Sequence, residues 1–367
     1  MLKFSTRNII RIIHLWIGLF TGTIVLIVCI TGCIYTFQKE IKLAIYPYYT
    51  VSNSNLEKLP LSCLLESYET QSENKVSFIY DFTETKRSTI LRTFGNKRLY
   101  YSFINPYNGE LLKEKEKSKD FFSIILGIHR NLLLKKEVGR KIIGYSIALF
   151  ILILISGVIL WFPRNRKVFK SKRGIKSKFT IKKTSNRKRI LYDVHSVLGL
   201  YASSLLIVMA ITGLGWTFAW VDGMLYRAVT FEKKEKKNLL LVDSTNLSYH
   251  TLDIAKNKMD YSQDNRKLFL YILPKTQTRP LKVTAYPNDD SYGSSDHFYI
   301  HPQSGNFLSS DLDINKKRGT KFRSLYYDIH TGSLLGIWGK ILVFFAGLIG
   351  ASLPITGFMM WRNKRKP

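Results

Sequence analysis

His14-Leu-Trp-Ile-Gly18-Leu19 and His195-Ser-Val-Leu-Gly199-Leu200 open two long apolar runs that stay in register without a gap. Thr31-Gly32 stands as far beyond His14 as Thr212-Gly213 stands beyond His195, and Phe37 matches Phe218 in the same way. Two further segments pair. Ile128-His129 precedes Ser156-Gly157 and Trp161; Ile329-His330 precedes Thr356-Gly357 and Trp361, with one residue of slip. A histidine near each apolar segment, duplicated, points to a site that needs two imidazoles at a time.

Residues 12–38, 142–162, 194–221 and 341–361 contain no charged side chain. A membrane-spanning helix needs about 20 predominantly apolar residues, so each run qualifies. Stretches such as 57–75 and 232–246 are too polar to be embedded. The first run has a basic start, but it is too long for a signal peptide, and Cys33-Ile34-Tyr35 is a poor small-x-small cleavage site. It reads as a signal anchor and first span.

A net charge of +30 raises the question of nucleic acid. The distribution of charge argues for a membrane instead. Residues 164–189 carry thirteen Lys or Arg and no acid; the tail after Trp361 and the first thirteen residues are basic as well. With four spans, these three regions share one side, which the positive-inside rule makes cytoplasmic. Anchoring to anionic headgroups accounts for the basic loop more simply than a specific phosphate site. Cys29 and Cys33 lie one helical turn apart in the first run and Cys63 stands alone outside, so no disulfide framework follows. No C-x-x-C-H occurs, which excludes covalent c-type haem.

The two loops between spans are long enough to fold. The first alternates β-branched and aromatic residues over 75–82, 88–94 and 98–104, followed by the turn Asn105-Pro-Tyr-Asn108-Gly109. The second repeats the pattern over 269–273, 281–286 and 297–300, with His301-Pro302-Gln-Ser-Gly305 as the matching turn. Helical stretches are expected near 59–68 and 247–257. Each half is therefore span, outer α+β module, span, the parallel tandem arrangement found among membrane transport proteins.

This organisation resembles the PepSY-associated transmembrane family, which includes iron-regulated inner-membrane proteins and haem-containing ferric-siderophore reductases. The resemblance covers nearly the whole chain. It is carried by the paired H-x3-G-L…T-G spans, by His129-Arg130-x-Leu-Leu-Leu with Gly139-Arg140, by Ser156-Gly157…Leu160-Trp161-x-Pro163-Arg164, and by the two Asn/His-Pro-x-x-Gly hairpins. It implies b-type haem and transmembrane electron flow. The expected fold is a mainly α membrane protein: four transmembrane helices as a tandem two-fold repeat, with two extracytoplasmic PepSY-like α+β modules. Its segments are a tail and first span (1–38), first periplasmic module (39–120), interfacial segment and second span (121–163), and basic cytoplasmic loop (164–190). The third span (191–221), second periplasmic module (222–324), and interfacial segment, fourth span and basic tail (325–367) follow.

An ionisable group within a membrane segment is costly and marks function by default, and histidine is the usual protein ligand of haem iron. Topology sorts the four histidines into two levels. His14 and His195 begin spans at the cytoplasmic side; His129 and His330 precede spans from outside. Each pair can clamp one iron axially, giving two haem b groups per chain. Gly18, Gly22, Gly199 and Ser203 lie one and two turns beyond His14 and His195. They read either as a bare surface for a flat ring or as a small-residue helix-packing face. Residues 121–134 and 325–338 must bring His129 and His330 to the membrane, with a break expected at Gly139 or Gly339. Arg140 and Lys340 hold equivalent positions near the outer boundary, either snorkelling to the interface or pairing with haem propionates. Arg11 and Arg189 offer the same on the other side. Trp16, Trp161, Trp216 and Trp361 fit an aromatic belt. His250, His297 and His301 read as surface or turn residues.

Nothing resembles a nucleophile triad, a phosphate loop or a dinucleotide fingerprint. The cytoplasmic parts are too short and basic for a flavin or nicotinamide domain, so electrons must come from a quinol or a separate donor. The combined expectation is a di-haem b inner-membrane electron-transfer protein, its ends cytoplasmic, reducing a periplasmic ferric siderophore or other iron(III) chelate. Two alternatives stand beside it: a PepSY-type regulator binding peptides or a protease, and a transporter of haem or metal using the same histidines transiently.

Overall fold

The computed structural model describes residues 5–365 apart from 53–55, 183–185, 232–239, 244–245 and 261–265. Most of the polar run 232–246 and part of the basic loop thus lie outside the described residues. The chain divides into two compact units: residues 1–37, 124–224 and 329–367 form one, and 38–123 and 225–328 the other.

In the first unit, among the described residues, four helices are long and apolar enough to cross a membrane: Thr6–Thr36, Lys136–Trp161, Arg187–Thr217 and Ser333–Asn363. A helix satisfies its own backbone, which lipid cannot do. Large apolar side chains are accordingly left on the outside, with Phe20 81% and Trp338 73% exposed. The first span packs on the second and the fourth, and the third packs on the same two, closing a ring. Val25, Phe150, Leu154, Leu206 and Ala346 fill its centre. Small residues bring the helices close: Gly347 and Gly350 receive the sulfurs of Cys33 and Cys29, and Gly22 receives Pro354. The third span is α-helical over Arg187–Asp193 and Gly199–Thr217, with a π-helical turn, Val194–Leu198, between them.

The matched phenylalanines mark matched ends. The first span stops at Phe37, whose ring meets Phe344, and the third stops at Phe218, whose ring meets Tyr145. The histidine-bearing segments are short helices, Phe121–Asn131 and Tyr326–Thr331. The breaks after them are not at Gly139 or Gly339. Leu132 and Leu133 adopt φ of 55° and 58° in one half, and Gly332 and Gly336 adopt 78° and 59° in the other. Gly139 and Gly339 sit inside the following helices, where a Cβ would collide with the carbonyls of Asn131 and Gly332. They are glycines because the preceding turn touches the helix there.

Among the described residues, the second unit is built on one antiparallel sheet with two helices packed against it. Its strands are β1 (Lys75–Phe82), β2 (Thr89–Gly95), β3 (Arg98–Ile104), β4 (Leu111–Glu116), β5 (Leu268–Ile272), β6 (Leu281–Tyr286), β7 (Asp296–Ile300) and β8 (Phe307–Asp311). Their order is β4-β3-β2-β1-β5-β6-β7-β8. The two outer modules expected from the sequence are thus joined edge to edge, Phe82 opposite Leu268 and Phe78 opposite Ile272. Pairing β1 with β5 removes one exposed edge from each half. Helices Leu61–Gln71 and His250–Asp260 share one core with the sheet, built on Tyr68, Ile79, Leu91, Leu252, Tyr271 and Ile300. Each large apolar side chain buried this way contributes about 1.5–3 kcal/mol. Gly109 and Gly305 close the two matched turns at φ of 75° and 70°, each donating its N–H to the carbonyl of the first turn residue, Asn105 or His301, at 3.0 Å.

Candidate functional site

The four membrane-associated histidines come together as two facing pairs. His14 and His195 have ring centroids 6.3 Å apart and planes at 85°. His129 and His330 have centroids 6.2 Å apart and planes at 75°. Both pairs take one member from each half of the chain.

One local device holds all four rings. The Nδ1 of His14 lies 2.9 Å from the Ser156 hydroxyl, and that of His195 lies 2.8 Å from Thr356. The Nδ1 of His129 lies 3.2 Å from Thr31, and that of His330 lies 3.0 Å from Thr212. In this second pair Nδ1 also lies 2.9 Å from a main-chain carbonyl, of Val28 or Met209. The residue after each hydroxyl is a glycine. A Cβ on Gly157, Gly357, Gly32 or Gly213 would lie 3.3, 3.5, 3.2 or 3.4 Å from the Cε1 of the corresponding imidazole. The Ser/Thr-Gly pairs, visible in the sequence as matched positions with no role attached, are therefore the seats of the histidines. The hydroxyl grips one edge of the ring and the glycine clears room for it.

The residues expected to leave a bare surface behave in different ways. Gly18 has open space where a Cβ would stand, whereas Gly22 meets Pro354 and Gly199 meets Leu353. Ser203 is buried and donates to the carbonyl of Leu200 at 2.7 Å. Gly22 and Gly199 thus serve helix packing, leaving Gly18 as the open position. Arg140 donates to the Trp216 carbonyl at 2.8 Å, and Trp216 in turn lies edge-on to His330 with centroids 5.3 Å apart. Lys340 is 4% exposed. Arg189 pairs with the buried Asp193 at 2.9 Å, two residues before His195. His250, His297 and His301 lie in the second unit: the first begins a helix, the second lies 3.2 Å from Thr284, and the third accepts from the Ser304 N–H at 3.3 Å.

The pair spacing has a direct chemical meaning. Two metal–imidazole bonds of about 2 Å each, with about 1 Å from each nitrogen to its ring centre, place two opposed ring centres roughly 6 Å apart. With Nδ1 occupied, Nε2 is the nitrogen left to coordinate. Among the described residues no group of three or more His, Cys, Asp or Glu could hold a metal ion. Two imidazoles alone are a meagre set for a bare ion, which takes four or more ligands. They suit an iron whose equatorial positions are filled by a macrocycle and which needs only two axial nitrogens. The residues present therefore fit haem at both pairs.

None of the curated proteins compared with the chain matches it. A family model does, over residues 11–364, which takes in nearly all of the four candidate spans and the loops that join them. The chain is a membrane protein of the PepSY-associated TM region family.

Proposed function

We propose that this chain is a di-haem b electron-transfer protein of the bacterial inner membrane that reduces a periplasmic iron(III) chelate, such as a ferric siderophore. The observation that carries the reading is the recurrence of one imidazole pair at two places with the same centroid spacing, 6.3 and 6.2 Å. His14 and His195 hold one haem, and His129 and His330 hold the other. Bound haem supplies a reversible one-electron iron couple.

The chain's own residues supply the rest. Ser156, Thr356, Thr31 and Thr212 orient the rings, and the adjoining glycines keep them unobstructed. Arg140 and Lys340 bring positive charge to equivalent places for propionates. The whole chain reads as a tandem two-fold repeat with two PepSY-like halves. Matched hydroxyl–imidazole contacts between the first and second spans and between the third and fourth support this.

The basic 164–189 loop and both chain ends lie in the cytoplasm by the positive-inside rule. The sheet unit then faces the periplasm and offers a folded surface for substrate. Reduction suits iron release because iron(II) is held less firmly than iron(III) by hard oxygen chelators. Electrons enter from a quinol or a separate donor on the cytoplasmic side.

Oriented proteoliposomes test this. Ferric chelates added to the sheet-bearing face should oxidise dithionite-reduced haems, and His129→Ala or His330→Ala should block the reaction. If a broad panel of chelates on that face leaves the haems reduced, while an acceptor on the opposite face oxidises them quickly, outward iron reduction is wrong.

A further inference from the structure

We propose that the hydroxyls of Ser156, Thr356, Thr31 and Thr212 are positioning residues that hold all four imidazoles in the Nδ1–H tautomer and lower the potential of the iron they ligate. The inference rests on the haem reading above. It follows from where each hydroxyl spends its single proton. Ser156 donates to the Ile153 carbonyl at 2.9 Å, and Thr356 to the Ser352 carbonyl at 2.9 Å. Thr31 donates to Ile27 at 2.7 Å, and Thr212 lies 3.0 Å from Val208 and 2.9 Å from Met209. Back-bonding to the preceding helical turn is the ordinary state of Ser and Thr in a membrane helix. With its proton committed, each hydroxyl can only accept from the imidazole. Nδ1 must then carry the hydrogen, and Nε2 is left with its lone pair.

The carbonyls of Val28 and Met209, 2.9 Å from the Nδ1 atoms of His129 and His330, can never donate and require the same tautomer. An N–H donated at Nδ1 pushes electron density toward Nε2, making the ligand more basic. A more basic axial ligand favours iron(III) over iron(II) and lowers the midpoint potential.

Each imidazole also has a main-chain carbonyl partner, Ile153 for His14 and Leu353 for His195, as Val28 and Met209 are for His129 and His330. The two pairs differ in how close the hydroxyl comes. In the first pair the hydroxyl contacts are 2.9 and 2.8 Å. In the second they lengthen to 3.2 and 3.0 Å, and a carbonyl sits closer, at 2.9 Å from each Nδ1. Removing a hydroxyl should therefore be felt more strongly at His14 and His195.

Spectroelectrochemical titration of the haem-loaded, full-length protein tests this. In Ser156→Ala and Thr356→Ala, the haem of the first pair should shift to a higher midpoint potential, and Ser156→Thr should restore the parent value. Thr31→Ala and Thr212→Ala should move the other haem in the same direction by less. Potentials unchanged in Ser156→Ala and Thr356→Ala with haem retained would overturn the proposal, since a purely structural hydroxyl changes occupancy and not potential.

If the alanine variants hold no haem, nitrogen-15 histidine NMR of the haem-free, full-length parent in detergent decides. Nδ1–H with a bare Nε2 supports the assignment, and Nε2–H overturns it. A parent protein that takes up no haem at all would sink the haem reading alone. The tautomer measured on that same protein would still judge the hydroxyls.

Discussion

His14 faces His195 across the bundle at 6.3 Å with the two ring planes 85° apart, and His129 faces His330 at 6.2 Å and 75°. If these pairs hold haem as proposed, near-perpendicular imidazoles would leave the two iron dπ orbitals that point at them almost equal in energy. The oxidised protein should therefore show low-spin ferric EPR signals with one very large g value at both sites. The rhombic three-line pattern of coplanar imidazoles would contradict the geometry.

The cross-half pairing makes a second prediction. His14→Ala and His195→Ala should each remove the same haem, and His129→Ala and His330→Ala the other. Redox titration of each variant should show a single remaining wave, identical within each pair of variants. Were His14→Ala and His129→Ala to remove the same wave, the pairing would be wrong.

Gly157 separates the seat of a histidine from general helix packing. A Cβ there would lie 3.3 Å from His14 Cε1. Gly157→Val should push the ring aside and remove most of the first haem while sparing the second. Gly22→Ala, which presses on Pro354 instead, should cost stability with both haems retained. Haem analysis together with thermal denaturation distinguishes the two effects.

Much of this arrangement is legible in the sequence, and the exceptions have physical causes. The four spans stand out because an apolar run of that length has no other stable setting. The histidine pairing is legible because the halves repeat in register. The Ser/Thr-Gly seats are visible as a motif, but their role depends on which helix faces which, and periodicity along one chain does not report that. Gly139 and Gly339 attract attention as break points because glycine often ends a helix. The actual reversal in the first half uses Leu132 and Leu133 at positive φ, a conformation that sequence rules do not assign to leucine. The joining of the outer modules through β1 and β5 is hidden for a similar reason: strand alternation marks a buried face and is silent about the partner at the edge.

The sheet unit carries its own pH dependence. Burial opposes the charge on the Asp289 carboxylate, but Lys39 and Arg87 outweigh it and hold the group below the usual aspartate range. A depressed carboxylate pKa stabilises the fold above the ordinary value and loses that contribution as pH falls through the folded-state value. The loss therefore begins below about pH 4. Asp289→Asn should destabilise the sheet unit by about 2 kcal/mol at neutral pH, since it leaves the buried Arg87 without its countercharge. The difference from the parent should fade in acid. Amide exchange of β1 and β2 in the full-length protein, followed from pH 7 downward, reads this; a gap that stays constant to low pH would contradict it.

The most direct test of the central claim is haem stoichiometry. Pyridine haemochrome analysis of the purified, haem-replete protein, set against amino-acid quantitation, should give about two non-covalent b-type haems per chain. The value should fall to about one in His14→Ala/His195→Ala, and likewise in His129→Ala/His330→Ala. A parent value of one or fewer, or loss of both haems from either folded double variant, would contradict two independent bis-histidine sites.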